Sequence, residues 1–148
     1  MRGGEKTIMN DFLQDDGGRK DAGYRGTTGD CVVRAIAIGT AKPYQEVYDA
    51  LNGMTKFENN CKQRKSNART GVRRSTLKKY LLNLGWKWTP TMFIGQGCKV
   101  HLKKEELPMG RLIVSVSRHM VAVIDGVIHD TFDPSRNGTR CVYGYYTK

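Results

Sequence analysis

The run His119-Met120-Val121-Ala122-Val123-Ile124-Asp125-Gly126-Val127-Ile128-His129-Asp130-Thr131-Phe132 reads as two strands around a two-residue Asp-Gly turn. A turn of that length fixes the register, setting Ile124 opposite Val127, Val121 opposite Asp130 and His119 opposite Phe132. Opposed residues share a face, so His119, Val121, Asp130 and Phe132 point one way, and Asp130 lies diagonal to His119 at roughly 7 to 8 Å between backbones. His129 and Asp133 point the other way, unless a one-residue bulge exchanges Asp133 for Asp130.

Upstream of this hairpin, Arg111 to Ser117 is a β-type run, and downstream Arg140 to Tyr146 supplies an aromatic-rich strand. The N-terminal half reads differently. Val32 to Ile38 is apolar nearly all round, as in a buried helix that Gly39 would end. Pro43 suits the first turn of a second helix, with Tyr44, Val47, Tyr48 and Leu51 on one face. Ser75 would cap a third, with Leu77, Tyr80, Leu81 and Leu84 buried. The pattern predicts an α+β fold: N-terminal helices, the first of them buried, packed on a C-terminal antiparallel sheet. With 148 residues and no internal repeat, one domain spans 1–148, and residues 1–26 form an irregular arm or a short-stranded entry.

The net charge of +11 calls for an anionic partner, an acidic polypeptide substrate or a basic soluble surface. The four cysteines, Cys31, Cys61, Cys98 and Cys141, show no zinc-type spacing, so neither a metal nor another cofactor is expected. The N-terminus leads into no signal-peptide core, and no apolar run approaches the roughly 18 to 20 residues that span a bilayer. The expectation is a soluble, cytoplasmic protein with free thiols. Its oligomeric state is not encoded in any pattern recognised here.

Cys31 stands where the Gly/Thr-rich loop ending in Gly29-Asp30 becomes the first helix. Unpaired N–H groups and the positive end of a helix favour thiolate over thiol and can hold an oxyanion. With His119 as base and Asp130 (alternatively Asp133) orienting its ring, Cys31 completes the parts of a Cys-His-Asp triad. Thr28 and Asp30 are the side-chain candidates for a second oxyanion contact, beside backbone N–H groups.

Gly29-Asp30-Cys31 opening a helix, His119 followed by Val121 and Val123, and Asp130-Thr131-Phe132 on the paired strand resemble the Gly-Ser-Cys, His-x-Val and Asn-Ser-Trp segments of papain-like cysteine peptidases. Tyr143-Gly144-Tyr145-Tyr146 is similar to that family's closing Gly-Tyr strand. The layout, covering Thr27 to Tyr146, resembles compact bacterial and phage proteins of this type. The resemblance implies a papain-like fold and a thiol protease or related hydrolase, isopeptidase or acyltransferase acting on a polypeptide, with Phe132 shielding the His119–Asp130 bond. Two departures are plain. Arg25 stands where papain-type enzymes place an oxyanion glutamine. Gly-Asp-Cys-x-x-Arg-Ala also resembles ovarian-tumour-type deubiquitinases, but Thr28 replaces their Asp. Asp133-Pro134 in turn matches the Asp-Pro of bacteriocin-processing peptidases.

From Lys56 to Lys79, nine Lys/Arg face the single acid Glu58, marking an exposed basic segment. Arg64, Lys65, Arg73 and Arg74 are its candidate contacts to nucleic acid or an acidic protein. They support an alternative reading as a binding protein with a weak or inactive site, although no nucleic-acid-binding motif accompanies them. Trp86 and Trp88, two apart on a short strand, either line a cleft or pack in the core.

Overall fold

The computed structural model describes residues 11–24, 29–59 and 63–148. Its elements in chain order are β1 (Phe12–Gln14), α1 (Cys31–Thr40), α2 (Tyr44–Gly53), α3 (Arg74–Asn83), β2 (Lys87–Pro90), β3 (Arg111–Val116), β4 (His119–Ile124), β5 (Val127–Asp130) and β6 (Val142–Thr147). The strands form one sheet in the order β1-β5-β4-β3-β6-β2. The architecture is α+β.

The β4–β5 hairpin carries the register its turn demands, with Ile124 opposite Val127 and Ala122 opposite His129. The sheet itself is mixed, which corrects the antiparallel expectation: β1, drawn from the N-terminal arm, runs parallel to β5, with Phe12 beside Ile128 and Gln14 beside Asp130. Three residues of Phe-Leu-Gln carry no strand signal of their own and become a strand only because the edge of β5 offers them hydrogen bonds. The rest of the described arm is a run of turns in which the Asp15 and Asp16 carboxylates accept the N–H groups of Gly17 and Gly18.

Period-two alternation along β3 and β4 divides the interior into two cores. Ile113, Met120 and Tyr146 face α1, whose Val33, Ile36 and Ala37 are buried against them. Leu112, Val114, Val116, Val121 and Val123 face the opposite side, under Leu102 and Leu107. Gly39 is a packing residue rather than the expected helix terminator. A Cβ there would lie 2.5 Å from Ile113 Cγ1, so glycine lets α1 lie close on β3. The helix runs on to Thr40 and closes at Ala41, which takes the left-handed conformation (φ 59°). Pro43 and Arg73, each with extended ψ, are the residues that precede α2 and α3, so Pro43 lies just outside its helix and Ser75 inside the first turn of its own.

Cys98 and Cys141 form a disulfide with Cα atoms 5.8 Å apart, correcting the expectation of free thiols at these positions. The physical cause is local pairing: His101 bridges Cys141 and the Val142 N–H donates to Val100 O (2.8 Å), so the two segments run side by side. The free-thiol basis for a cytoplasmic expectation therefore does not hold here. Among the described residues, no helix is long and apolar enough to cross a membrane.

Candidate active site

Cys31 is the first residue of α1, and His119 the first of β4. The N-terminus of α1 meets the sheet at the rim where β4 begins, so the thiol faces the His119 ring and the Met120 backbone N–H, both of which favour its ionised form. The ring uses Nε2 for Asp130, 2.6 Å from Oδ2, which leaves Nδ1 for the sulfur. Asp130 ends β5 and is buried, and its Oδ1 accepts the Thr131 N–H at 2.7 Å. Cys31, His119 and Asp130 thus stand in one line, the thiol facing the ring and the ring bonded to the carboxylate.

The charges in that line reinforce one another. Burial pushes the Cys31 thiol up, but the hydrogen bond and charge of His119, the Met120 N–H and the nearby Arg34 outweigh it, and the thiol lies below its ordinary value. Burial alone would lower His119, yet hydrogen bonds to Asp130 and Cys31 and their charges carry it up to about 9. Both shifts favour a thiolate–imidazolium pair over the neutral pair.

Asp133 sits apart from the line. Its Oδ1 accepts the Ser135 N–H at 2.9 Å, an Asx turn that leads through Pro134. Pairing of β5 with β4 runs to His129 without a bulge, and the next residue, Asp130, is the carboxylate bonded to the ring. Phe132 lies beyond the end of β5 with its ring centroid 5.3 Å from that of His119, tilted against it, and is itself 52% exposed.

The oxyanion candidates divide. Thr28 and Arg25 lie outside the described residues. Asp30 cannot serve through its side chain: a carboxylate donates nothing to an oxyanion, and this one is turned inward. Asp30 Oδ2 accepts the Tyr44 hydroxyl at 2.6 Å, and Oδ1 takes Arg34 Nη1 at 2.9 Å. Backbone N–H groups remain, because intrahelical bonding in α1 begins with the Arg34 N–H to Asp30 O (3.1 Å) and the preceding N–H groups have no helical partner.

Arg34 was not among the residues the sequence singled out. Its guanidinium is buried and pairs with Asp30 and, through Nη2 at 3.6 Å, with Asp130. One cation thus bridges the carboxylate that precedes α1 and the one that ends β5. Burial and the Asp30 carboxylate in turn hold the Tyr44 hydroxyl protonated far above its ordinary range. The i,i+4 spacing of Asp30 and Arg34 was a visible signal, since it places both on one side of the first turn.

Cys31 opens into a cleft of about 630 Å³ with apolar walls that include Val72, Leu77, Trp88, Met120, Phe132 and Tyr146. Trp88 is held there by pairing with Tyr146 and by Gly144, where any Cβ would lie 2.4 Å from its ring. Trp86 does not line this cleft. It is buried in the core between the helices and the sheet, so of the two tryptophans only Trp88 remains a cleft residue.

The basic segment is likewise divided. Arg73 is buried and donates to the carbonyls of Arg64 (2.9 Å) and Gln63 (2.8 Å) beside the Glu58 carboxylate, so it staples its own loop and is unavailable to a partner. Glu58, held low despite burial by Ser66, Thr76 and Arg73, is the other half of that staple. Lys65 donates to Glu58 O and Arg64 to the Thr70 hydroxyl, both at the surface. Arg74 belongs to the cleft instead. Cys61 falls outside the described residues. No group of three or more His, Cys, Asp or Glu among the described residues is arranged to hold a metal ion. No protein family, curated protein or solved structure matches the chain.

Proposed function

We propose that the protein is a papain-like cysteine hydrolase, or an acyltransferase of the same chemistry, that cleaves peptide or isopeptide bonds through Cys31, His119 and Asp130. One observation carries the reading: a thiol at a helix start, a histidine between it and a buried carboxylate, and an open cleft in front of the sulfur. The Cys31 thiolate attacks the acyl carbon, forming a C–S bond while the carbonyl π pair moves onto oxygen. N–H groups at the start of α1, including that of Cys31, face the charge that develops. When the carbonyl re-forms, the C–N bond breaks and Nδ1–H of His119 protonates the departing amine. Water then adds to the thioester as His119 takes its proton, the C–S bond breaks and the thiolate returns. Asp130 holds the ring in the orientation these transfers need.

The direct test is acylation by p-nitrophenyl acetate. The expected result is a burst of p-nitrophenolate stoichiometric with protein, acetyl mapped to Cys31 and no burst in Cys31→Ala or His119→Ala. Acylation of native Cys31 no faster than in the urea-unfolded chain would overturn the proposal.

A further inference from the structure

Besides the buried Arg34, three exposed cationic side chains from two separate parts of the chain, Arg74, Lys78 and Arg118, line the same cleft as Cys31. Arg74 and Lys78 project from α3, and Arg118 occupies the tight β3–β4 turn with φ 56°. All three are exposed, and none forms an ion pair with a carboxylate among the described residues. Among the described residues, no Asp or Glu lines the cleft. Arg74 is also held in place: Nη1 donates to the buried Ser115 hydroxyl at 2.9 Å, and the guanidinium lies 5.6 Å over the Tyr143 ring. Its other N–H groups are left to meet a ligand in a fixed fork, the arrangement that suits a carboxylate.

We infer that the cleft selects acyl substrates that carry carboxylates, specifically polypeptide segments with Asp or Glu side chains beside the bond attacked, through Arg74, Lys78 and Arg118. The inference rests on the cysteine-hydrolase reading, which makes the ligand an acyl compound. The apolar walls formed by Leu77, Trp88 and Phe132 suit side chains next to those carboxylates better than a bare phosphate backbone.

The test compares two reagents that differ only in a carboxylate. Iodoacetate and iodoacetamide both lose iodide as the Cys31 sulfur forms a C–S bond, and both meet the same thiolate, so their rate ratio isolates attraction of the anion. The ratio at low salt is expected to fall about tenfold in Arg74→Gln/Lys78→Gln/Arg118→Gln, as for three modest exposed charge contacts removed together. A charge-matched control with the same net change, Lys20→Gln/Lys99→Gln/Lys104→Gln, is expected to keep the parental ratio. An unchanged ratio in the cleft variant, or an equal fall in the control, would overturn the inference. Slow alkylation by iodoacetamide itself, no faster than in the unfolded chain, would instead sink the cysteine-hydrolase reading while the ratio still reported on the cleft.

A second arm sets the ligand class. Peptidyl acyloxymethyl ketones differing only by Glu or Gln next to the reactive carbon are expected to label Cys31 faster with Glu, a preference the cleft variant loses. Equal labelling by the pair would overturn the polypeptide assignment. So would protection of Cys31 by a thymidine oligonucleotide at lower concentration than by a Glu-rich peptide of equal charge.

Discussion

Replacing Asp130 with Asn removes the carboxylate charge 2.6 Å from His119 Nε2 while keeping the shape of the side chain and an oxygen for the Thr131 N–H. Burial of the ring works against its charge, so the rise of His119 to about 9 from the ordinary 6.5 reflects what Asp130 and Cys31 contribute. At about 1.4 kcal/mol per pKa unit, that rise favours the protonated ring by about 3 kcal/mol. A hydrogen bond to a charged partner is worth about 1.5 to 3 kcal/mol, so losing it should bring the ring down by about one to two pKa units. The ring resonances of His119, followed by NMR from pH 5 to 10, are expected to titrate near 9 in the parent and correspondingly lower in Asp130→Asn. Asp133→Asn should leave them where they are. The alkaline limb of peptide-amide turnover should move down with the ring, because above it no imidazolium remains to protonate the departing amine. Stability carries the same sign. The folded value exceeds the unfolded one, so the stabilisation is complete below pH 6.5 and is lost as pH rises through about 9. The urea-midpoint gap between parent and variant should narrow over that range. A parental titration of His119 in Asp130→Asn, or a shift in Asp133→Asn, would refute the assignment of Asp130 as the orienting acid.

Arg34→Met should cost about 3 to 5 kcal/mol in urea unfolding at pH 7, because it leaves the buried Asp30 and Asp130 carboxylates without the cation between them. A loss below 1 kcal/mol would mean the bridge is not formed. Gly39→Ala pushes a Cβ to 2.5 Å from Ile113 Cγ1 and should destabilise by about 1 to 3 kcal/mol, with part of the loss recovered in Gly39→Ala/Ile113→Val. A neutral Gly39→Ala would show that α1 does not lie that close to β3. Reduction of Cys98–Cys141, or Cys98→Ser/Cys141→Ser, should lower stability by about 2 to 4 kcal/mol as the closed loop regains its freedom in the unfolded chain. Peptide mapping without reductant that finds both cysteines alkylated in the native protein would remove the crosslink.

The parts of the fold that could be read from sequence are those fixed by local chemistry. The Asp125-Gly126 turn determines the hairpin register by itself, and from that register follows which side of β4 carries His119. Helices whose apolar residues repeat at helical spacing were equally visible in Val47, Leu51, Leu77 and Leu81. What could not be read are outcomes of distant encounters. Phe12-Leu13-Gln14 becomes a strand only because β5 presents an unpaired edge, and Gly39 looks like a helix end until Ile113 is seen to occupy the space of its side chain. The Cys98–Cys141 bond depends on two loops lying side by side, which their spacing of 43 residues does not disclose.

The site divides along the same line, and the division explains why Arg34, Arg73 and Arg74 look interchangeable in sequence and differ in the fold. All three are arginines in or just before a helix. Arg34 sits one turn after Asp30 on a helix that is buried all round, so its charge is forced inward and has to be met by carboxylates from two elements. Arg73 precedes α3 and turns back onto its own loop around Glu58. One residue later the helical turn carries Arg74 to the opposite side, where Ser115 and Tyr143 hold it over the cleft. A count of basic residues assigns all three to one charged surface. The fold gives one to the Asp30–Asp130 bridge, one to a loop and one to the open face of the cleft beside Cys31, so where each cation acts follows from helical phase and not from composition.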